Sequence, residues 1–139
     1  MKVAFATTDR KHVNQHFGSA RSFVVYAIGP GQAVPLEVAQ FENSAQDGHE
    51  DKLLAKLTFL EGCTAVYCQA VGGSAIHQLL SRGIQPVRVS EGTPIDLLLR
   101  ELDRELRSGP SSWLAKALKR QQMSDTDRFD SMGAEGWTE

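Results

Sequence analysis

The chain opens with a nearly continuous run of small and apolar residues, Lys2-Val3-Ala4-Phe5-Ala6-Thr7, which suits a strand buried on both faces. A polar loop follows from Thr8 to about Ser19. Ser22 to Ile28 then returns to β-branched and aromatic residues and stops at the turn sequence Gly29-Pro30-Gly31, beyond which a third strand is predicted near Val34 to Phe41. From Glu50 the period becomes helical. Leu53, Leu54, Leu57 and Leu60 fall on the predicted inner face, Asp51, Lys52 and Lys56 fall off it, and Gly62 ends the run. Thr64 to Cys68 reads as a short strand, Ala75 to Arg82 as a helix carrying Ile76, Leu79 and Leu80 up to Gly83, and Gln85 to Val89 as a further strand. Thr93 is placed to cap a helix with Pro94 at its first position, and Ile95, Leu98, Leu99, Leu102 and Leu106 form the inner stripe as far as Gly109.

Three consecutive strands followed by alternating helices and strands imply a mixed sheet, antiparallel on one side and built from right-handed crossovers on the other. Burial of the first strand puts it in the middle. This is the layout of a ribonuclease-H-like α/β fold, three layers with a mixed five-stranded sheet flanked by helices. The expected domain spans residues 1–109. Residues 110–139 are expected to add a short helix, capped by Ser111 or Ser112 with Trp113, Leu114, Ala117 and Leu118 on one face, and a polar tail containing Phe129 and Trp137. That segment reads either as a partner-facing appendage or as a helix packed on its own domain.

With 139 residues there is room for one core, and a formal charge of −2 supplies no general attraction to nucleic acid or to anionic membranes. No apolar run approaches the roughly 18 residues of a membrane span. The first strand passes straight into Thr7-Thr8-Asp9-Arg10 with no export signal, so a cytoplasmic location is expected, with both cysteines unpaired.

Asn14-Gln15-His16-Phe17-Gly18 lies in the loop after the first strand, at the sheet edge where open α/β sheets bind ligands. His16 offers an imidazole for a metal or simply a hydrogen-bonded side chain, Phe17 an anchor to the core, and Gly18 freedom of conformation or close approach. Alternation along the strand sends Cys63 and Cys68 to opposite faces, with Cα atoms roughly 16 Å apart. On that count Cys68, at the carboxyl end, is the candidate ligand or a core thiol, and Cys63 is a small core residue. Gln69-Ala70-Val71-Gly72-Gly73-Ser74 is a strand-to-helix turn whose amides suit an anion, either a sulfide-faced cluster or a phosphate, although no Walker pattern is present. Arg21 could add positive charge near this loop, and His12 could assist His16. His49, His77 and the charged face Arg100 to Arg107 read as solvated.

Lys2-Val3-Ala4-Phe5-Ala6 followed by Gln15-His16-Phe17-Gly18 resembles the start of the dinitrogenase iron–molybdenum cofactor biosynthesis family. The likeness continues through Asp47 to Leu53, Gly62 to Ala70, Pro86 to Gly92 and Gly109 to Ala117, and reaches Arg128-Phe129-Asp130 and Ala134-Glu135-Gly136-Trp137. The resemblance implies binding of an iron–sulfur precursor of the cofactor, made by NifB, during transfer to the NifE–NifN scaffold. It maps a suspected cluster-contacting histidine onto His16. The family's larger members carry a further N-terminal domain that is not expected here, and the lack of Cys-x-x-Cys spacing argues against a permanent cluster.

The expected role is therefore a carrier that is not an enzyme, with His16, Phe17, Gly18, Cys68, Gly72 and Gly73 at the site and His16 and Cys68 as metal ligands. An assembly adaptor that does not itself ligate the cluster is the alternative. A nuclease, suggested by the fold, would need several carboxylates around divalent metal ions, and Asp9 alone lies near the end of the first strand.

Overall fold

The structure is a computed structural model that describes residues 1–29, 31–41, 49–109, 114–116 and 119. Its elements run β1 (Lys2–Ala6), β2 (His12–Val13), β3 (Ser22–Gly29), β4 (Gln32–Gln40), α1 (His49–Phe59), β5 (Ala65–Cys68), α2 (Gly73–Ser81), β6 (Gln85–Arg88), β7 (Thr93–Pro94) and α3 (Ile95–Ser108). Five strands form one sheet in the order β4-β3-β1-β5-β6. β1 is antiparallel to β3 and parallel to β5, and β5 is parallel to β6. The ribonuclease-H-like expectation, with β1 central and buried, is met.

Alternation along the strands divides the core into two layers. Ala4, Ala6, Phe23, Val25, Val66 and Cys68 face α1 and α2, which contribute Leu57, Ala75 and Leu79, with Leu60 added from the turn after α1. Val3, Phe5, Val24, Ala65 and Tyr67 face α3, which contributes Ile95, Leu98 and Leu102. Among the described residues no helix is long and apolar enough to cross a membrane.

Several local expectations are corrected. The inner stripe of α1 is Leu53, Lys56, Leu57 and Leu60, so Lys56 is buried while Leu54 is 53% exposed. At about 100° per residue Leu54 lies roughly 60° beyond Leu57 and outside that stripe, whereas Lys56 lies on its other side and finds acceptors for its ammonium. Leu80 is likewise exposed, at 40%. Thr93 and Pro94 do not begin α3; they form β7, which pairs with β2 in a small ribbon. Pro94 occupies the N-cap position, and the Thr93 hydroxyl donates to the Ser90 carbonyl at 2.6 Å. The strand near Val34 is an exposed edge strand, with a register shift against β3 between Val25 and Tyr26.

Cys63 precedes β5 in the turn where its amide donates to Leu60 O at 2.9 Å, and both cysteines lie in the layer facing α1 and α2. Strand alternation therefore does not separate them; they differ by lying at opposite ends of β5.

Leu114, fully buried, joins the α3 layer. The core thus uses a side chain beyond residue 109. Trp113, Ala117, Leu118, Phe129 and Trp137 lie outside the described residues. Leu114→Ala should cost about 2–5 kcal/mol of unfolding free energy, the range for removing a buried leucine. A denaturant midpoint unchanged from wild type would show that Leu114 does not belong to the core.

Candidate functional site at the carboxyl edge of the central strands

Beyond β1 the chain makes a tight polar turn whose hydrogen bonds are largely internal. Thr7 Oγ1 donates to Asp9 Oδ1 at 3.0 Å and accepts the amides of Asp9 and Arg10 at 3.3 and 3.0 Å. Asp9 Oδ1 accepts the amides of Lys11 and His12 at 2.8 and 2.9 Å, and His12 Nδ1 lies 2.8 Å from Asp9 Oδ2. His12 and these amides hold the Asp9 carboxyl well below the usual carboxylate range. Asp9 is thus engaged in building the turn, and His12 is held by Asp9; no described contact joins it to His16. Asn14 closes the turn by accepting the Thr8 amide at 3.0 Å and donating from Nδ2 to Thr8 Oγ1 at 2.9 Å.

The next residues return to the sheet edge. The Gln69 amide donates to Gln15 O at 2.9 Å, the Phe17 amide donates to Ala70 O at 2.7 Å, and His16 sits opposite Ala70 in a parallel bridge. The loop after β1 thus pairs with the segment leaving β5, filling the crevice between two strands whose connections diverge. Phe17 is fully buried beside Phe23, at a centroid distance of 5.7 Å, and Phe23 leads through Phe41 to Phe59 on α1. Burial of that ring contributes about 2 kcal/mol and each neutral hydrogen bond about 1 kcal/mol, so the ring and the backbone pairing hold the loop together. Gln15 Oε1 accepts the Arg21 amide at 3.1 Å, and the Lys56 ammonium donates to the carbonyls of Phe17 and Gly18.

Within this fixed loop His16 is exposed. Past Ala70 the chain enters α2, where Gly72 is the N-cap and no side chain caps the helix. First-turn amides there have no intrahelical acceptor, and the helix dipole favours negative charge. A Cβ built at Gly18, Gly72 or Gly73 meets nothing within 4 Å, and none of the three has a left-handed φ. The conformational freedom expected of Gly18 is therefore not used; these glycines contribute open space and bare backbone.

Cys68 is placed differently. The turn after β5 brings its neighbours Gln69 and Ala70 against the His16 loop, but the Cys68 thiol is fully buried in the core. Burial pushes its pKa up to about 11, so the neutral thiol is the stable form. In this conformation the His16 imidazole is exposed while the Cys68 thiol is not. Among the described residues no three His, Cys, Asp or Glu side chains come together to hold a metal ion. Arg21 and His77 are exposed. Lys56 is the residue the sequence reading missed: its charge pointed to solvent, although its spacing three residues after Leu53 placed it on the inner stripe.

Both thiols, with the Cys63 pKa also raised by burial to about 11, should alkylate in native protein only at the rate of opening. Mass-spectrometric labelling with iodoacetamide at neutral pH checks this; rapid native modification of Cys68 would contradict its burial. Because the Asp9 pKa is lowered on folding, its stabilising contribution is complete above the unfolded value near 4 and fades as pH falls through and below it. Asp9→Asn should therefore be less stable than wild type at pH 7, by no more than about 1 kcal/mol for so exposed a group, with the gap narrowing towards pH 2 in denaturant titrations. A constant gap would assign the effect to something other than ionisation.

Comparison with known proteins agrees with this architecture. Residues 1–105 match the family model described as dinitrogenase iron-molybdenum cofactor. Protein NifX of Azotobacter vinelandii is 53% identical over 139 residues, covering 100% of this chain and 88% of that protein. FeMo cofactor biosynthesis protein NifB of Frankia alni is 38% identical over 92 residues, 63% of this chain and 18% of the longer protein. The crystal structure of PH0822 superimposes with a TM-score of 0.56 at 26% identity, covering 81% of this chain and 97% of that one. The chain belongs to the dinitrogenase iron–molybdenum cofactor family and, within it, to the NifX proteins of cofactor biosynthesis.

Proposed function

We propose that this chain binds an iron–sulfur precursor of the iron–molybdenum cofactor, the NifB product, stores it in the cytoplasm and passes it to the NifE–NifN scaffold without transforming it. The observation that carries the reading is His16, an exposed imidazole on a loop whose neighbouring residues are fixed by backbone pairing and a buried ring. Imidazole is a suitable ligand for iron, and it binds in its neutral form. The uncapped first turn of α2 beside it suits the anionic sulfide faces of such a cargo. Gly18, Gly72 and Gly73 are exposed and carry no side chain that would stand in the way of a cargo approaching the backbone.

One side-chain ligand with backbone donors suits transfer, since the cargo keeps coordination positions that a recipient can take. In this reading Phe17 is the anchor and His16 the ligand at first contact, and Cys68 joins as a metal ligand only if the end of β5 opens. The role is that of a carrier. The engagement of Asp9 in its own turn counts against a nuclease built on the same fold.

Anaerobic incubation with the isolated NifB product, followed by gel filtration and iron analysis, tests the reading. Wild type should retain iron, and His16→Ala should weaken retention by roughly tenfold or more, on the scale of lost metal-site interactions, with its thermal midpoint nearly unchanged. Undiminished retention by His16→Ala removes that residue from the site. A wild-type chain that associates with NifE–NifN yet retains no iron is an adaptor, and the carrier reading fails.

A further inference from the structure

Lys56 is a buried cation for which the carrier reading has no role. Its residue is 4% exposed, and Nζ donates to the carbonyl of Gly18 at 2.7 Å and to that of Phe17 at 3.2 Å. A buried ammonium is stable only while its donors are satisfied, so carbonyls that swung away would leave a charge with fewer partners in a dry environment. The ammonium thus ties the loop to α1 through two of its carbonyls.

The direction of those carbonyls matters for an anionic cargo. A carbonyl oxygen facing sulfide repels it, whereas one turned inward onto an ammonium is removed from the contact surface. Phe17 is tied at the same time through its amide to Ala70 O and through its ring to the core, while His16 stays exposed. From this geometry we infer that Lys56 is a positioning residue of the cargo site: it turns the Phe17 and Gly18 carbonyls towards α1 and so keeps His16 presented. The inference deepens the carrier reading and rests on it for its cargo, although the hold of Lys56 on the loop is measurable without cargo.

The experiment compares Lys56→Met and Lys56→Arg in the full chain. Amide hydrogen exchange at Phe17 and Ala20, set against the amides of β1 and β5, separates loop release from general destabilisation. Lys56→Met should speed exchange of the loop amides at least tenfold more than that of the strands. It should also lower retention of the NifB product about as much as His16→Ala does, with the double variant no worse than the weaker single one. Lys56→Arg, which keeps charge and donors, should restore both readouts substantially.

Uniform acceleration across loop and sheet, or wild-type retention by Lys56→Met at matched folded fraction, would overturn the inference. Should Lys56→Met not fold, the ammonium protons of wild-type Lys56 are followed by NMR. Slow exchange with contacts to Gly18 supports the hold on the loop, and free exchange with solvent overturns it. A wild-type chain that retains no NifB product defeats the carrier reading instead, and the exchange comparison still decides what Lys56 does.

Discussion

The parallel pairing of β1 with β5 organises the molecule, because it buries both strands and aligns their carboxyl ends. Their connections leave in opposite directions, β1 towards β3 and β5 through α2 towards β6, which would leave a crevice between them. Here the chain after β1 folds back and continues the pairing with Gln69 and Ala70. This edge is therefore an extension of the sheet, and the exposed His16 imidazole stands on it. Preorganisation of this kind lowers the entropic cost of holding a cargo.

Much of this was readable in the sequence where the pattern was strong. The apolar run of β1, the stripe Ile95, Leu98 and Leu102, and the change of period at Glu50 led to the right layers and the right central strand. What escaped was local and set by tertiary contacts. Lys56 carries a charge that reads as solvent-facing, yet its stem lies on the inner stripe with its ammonium on two loop carbonyls. Thr93-Pro94 has the composition of a helix start, but pairing with His12 and Val13 claimed both residues for a ribbon. Alternation was counted from Cys63, which lies before the strand begins. At the site the His16 loop was located correctly from its place after β1, while the inward direction of Cys68 depended on a register that spacing does not give.

Under the proposed carrier role, these features would make a site weighted towards release. A closed cage of thiolates binds metal tightly and gives it up slowly, whereas an imidazole beside a helix N-terminus leaves most of a cluster's surface free for a recipient. Burial keeps the Cys63 and Cys68 thiols neutral and inside the core, so in the proposed role neither would compete with His16 in the resting fold. Firm support lies beneath the loop, in Phe17 and its aromatic neighbours and in Lys56, while the His16 imidazole and the backbone at Gly18 lie open above it.

The most direct test is anomalous diffraction at the iron edge from crystals of the full chain grown anaerobically with the NifB product. The account predicts iron density against the His16 imidazole, in the opening towards the N-terminus of α2, with the pairing of the loop to Ala70 intact. Iron bound instead at a displaced Cys68, or in the cleft lined by Arg88, Ser90, Thr93 and Leu97 on the α3 side, would contradict it.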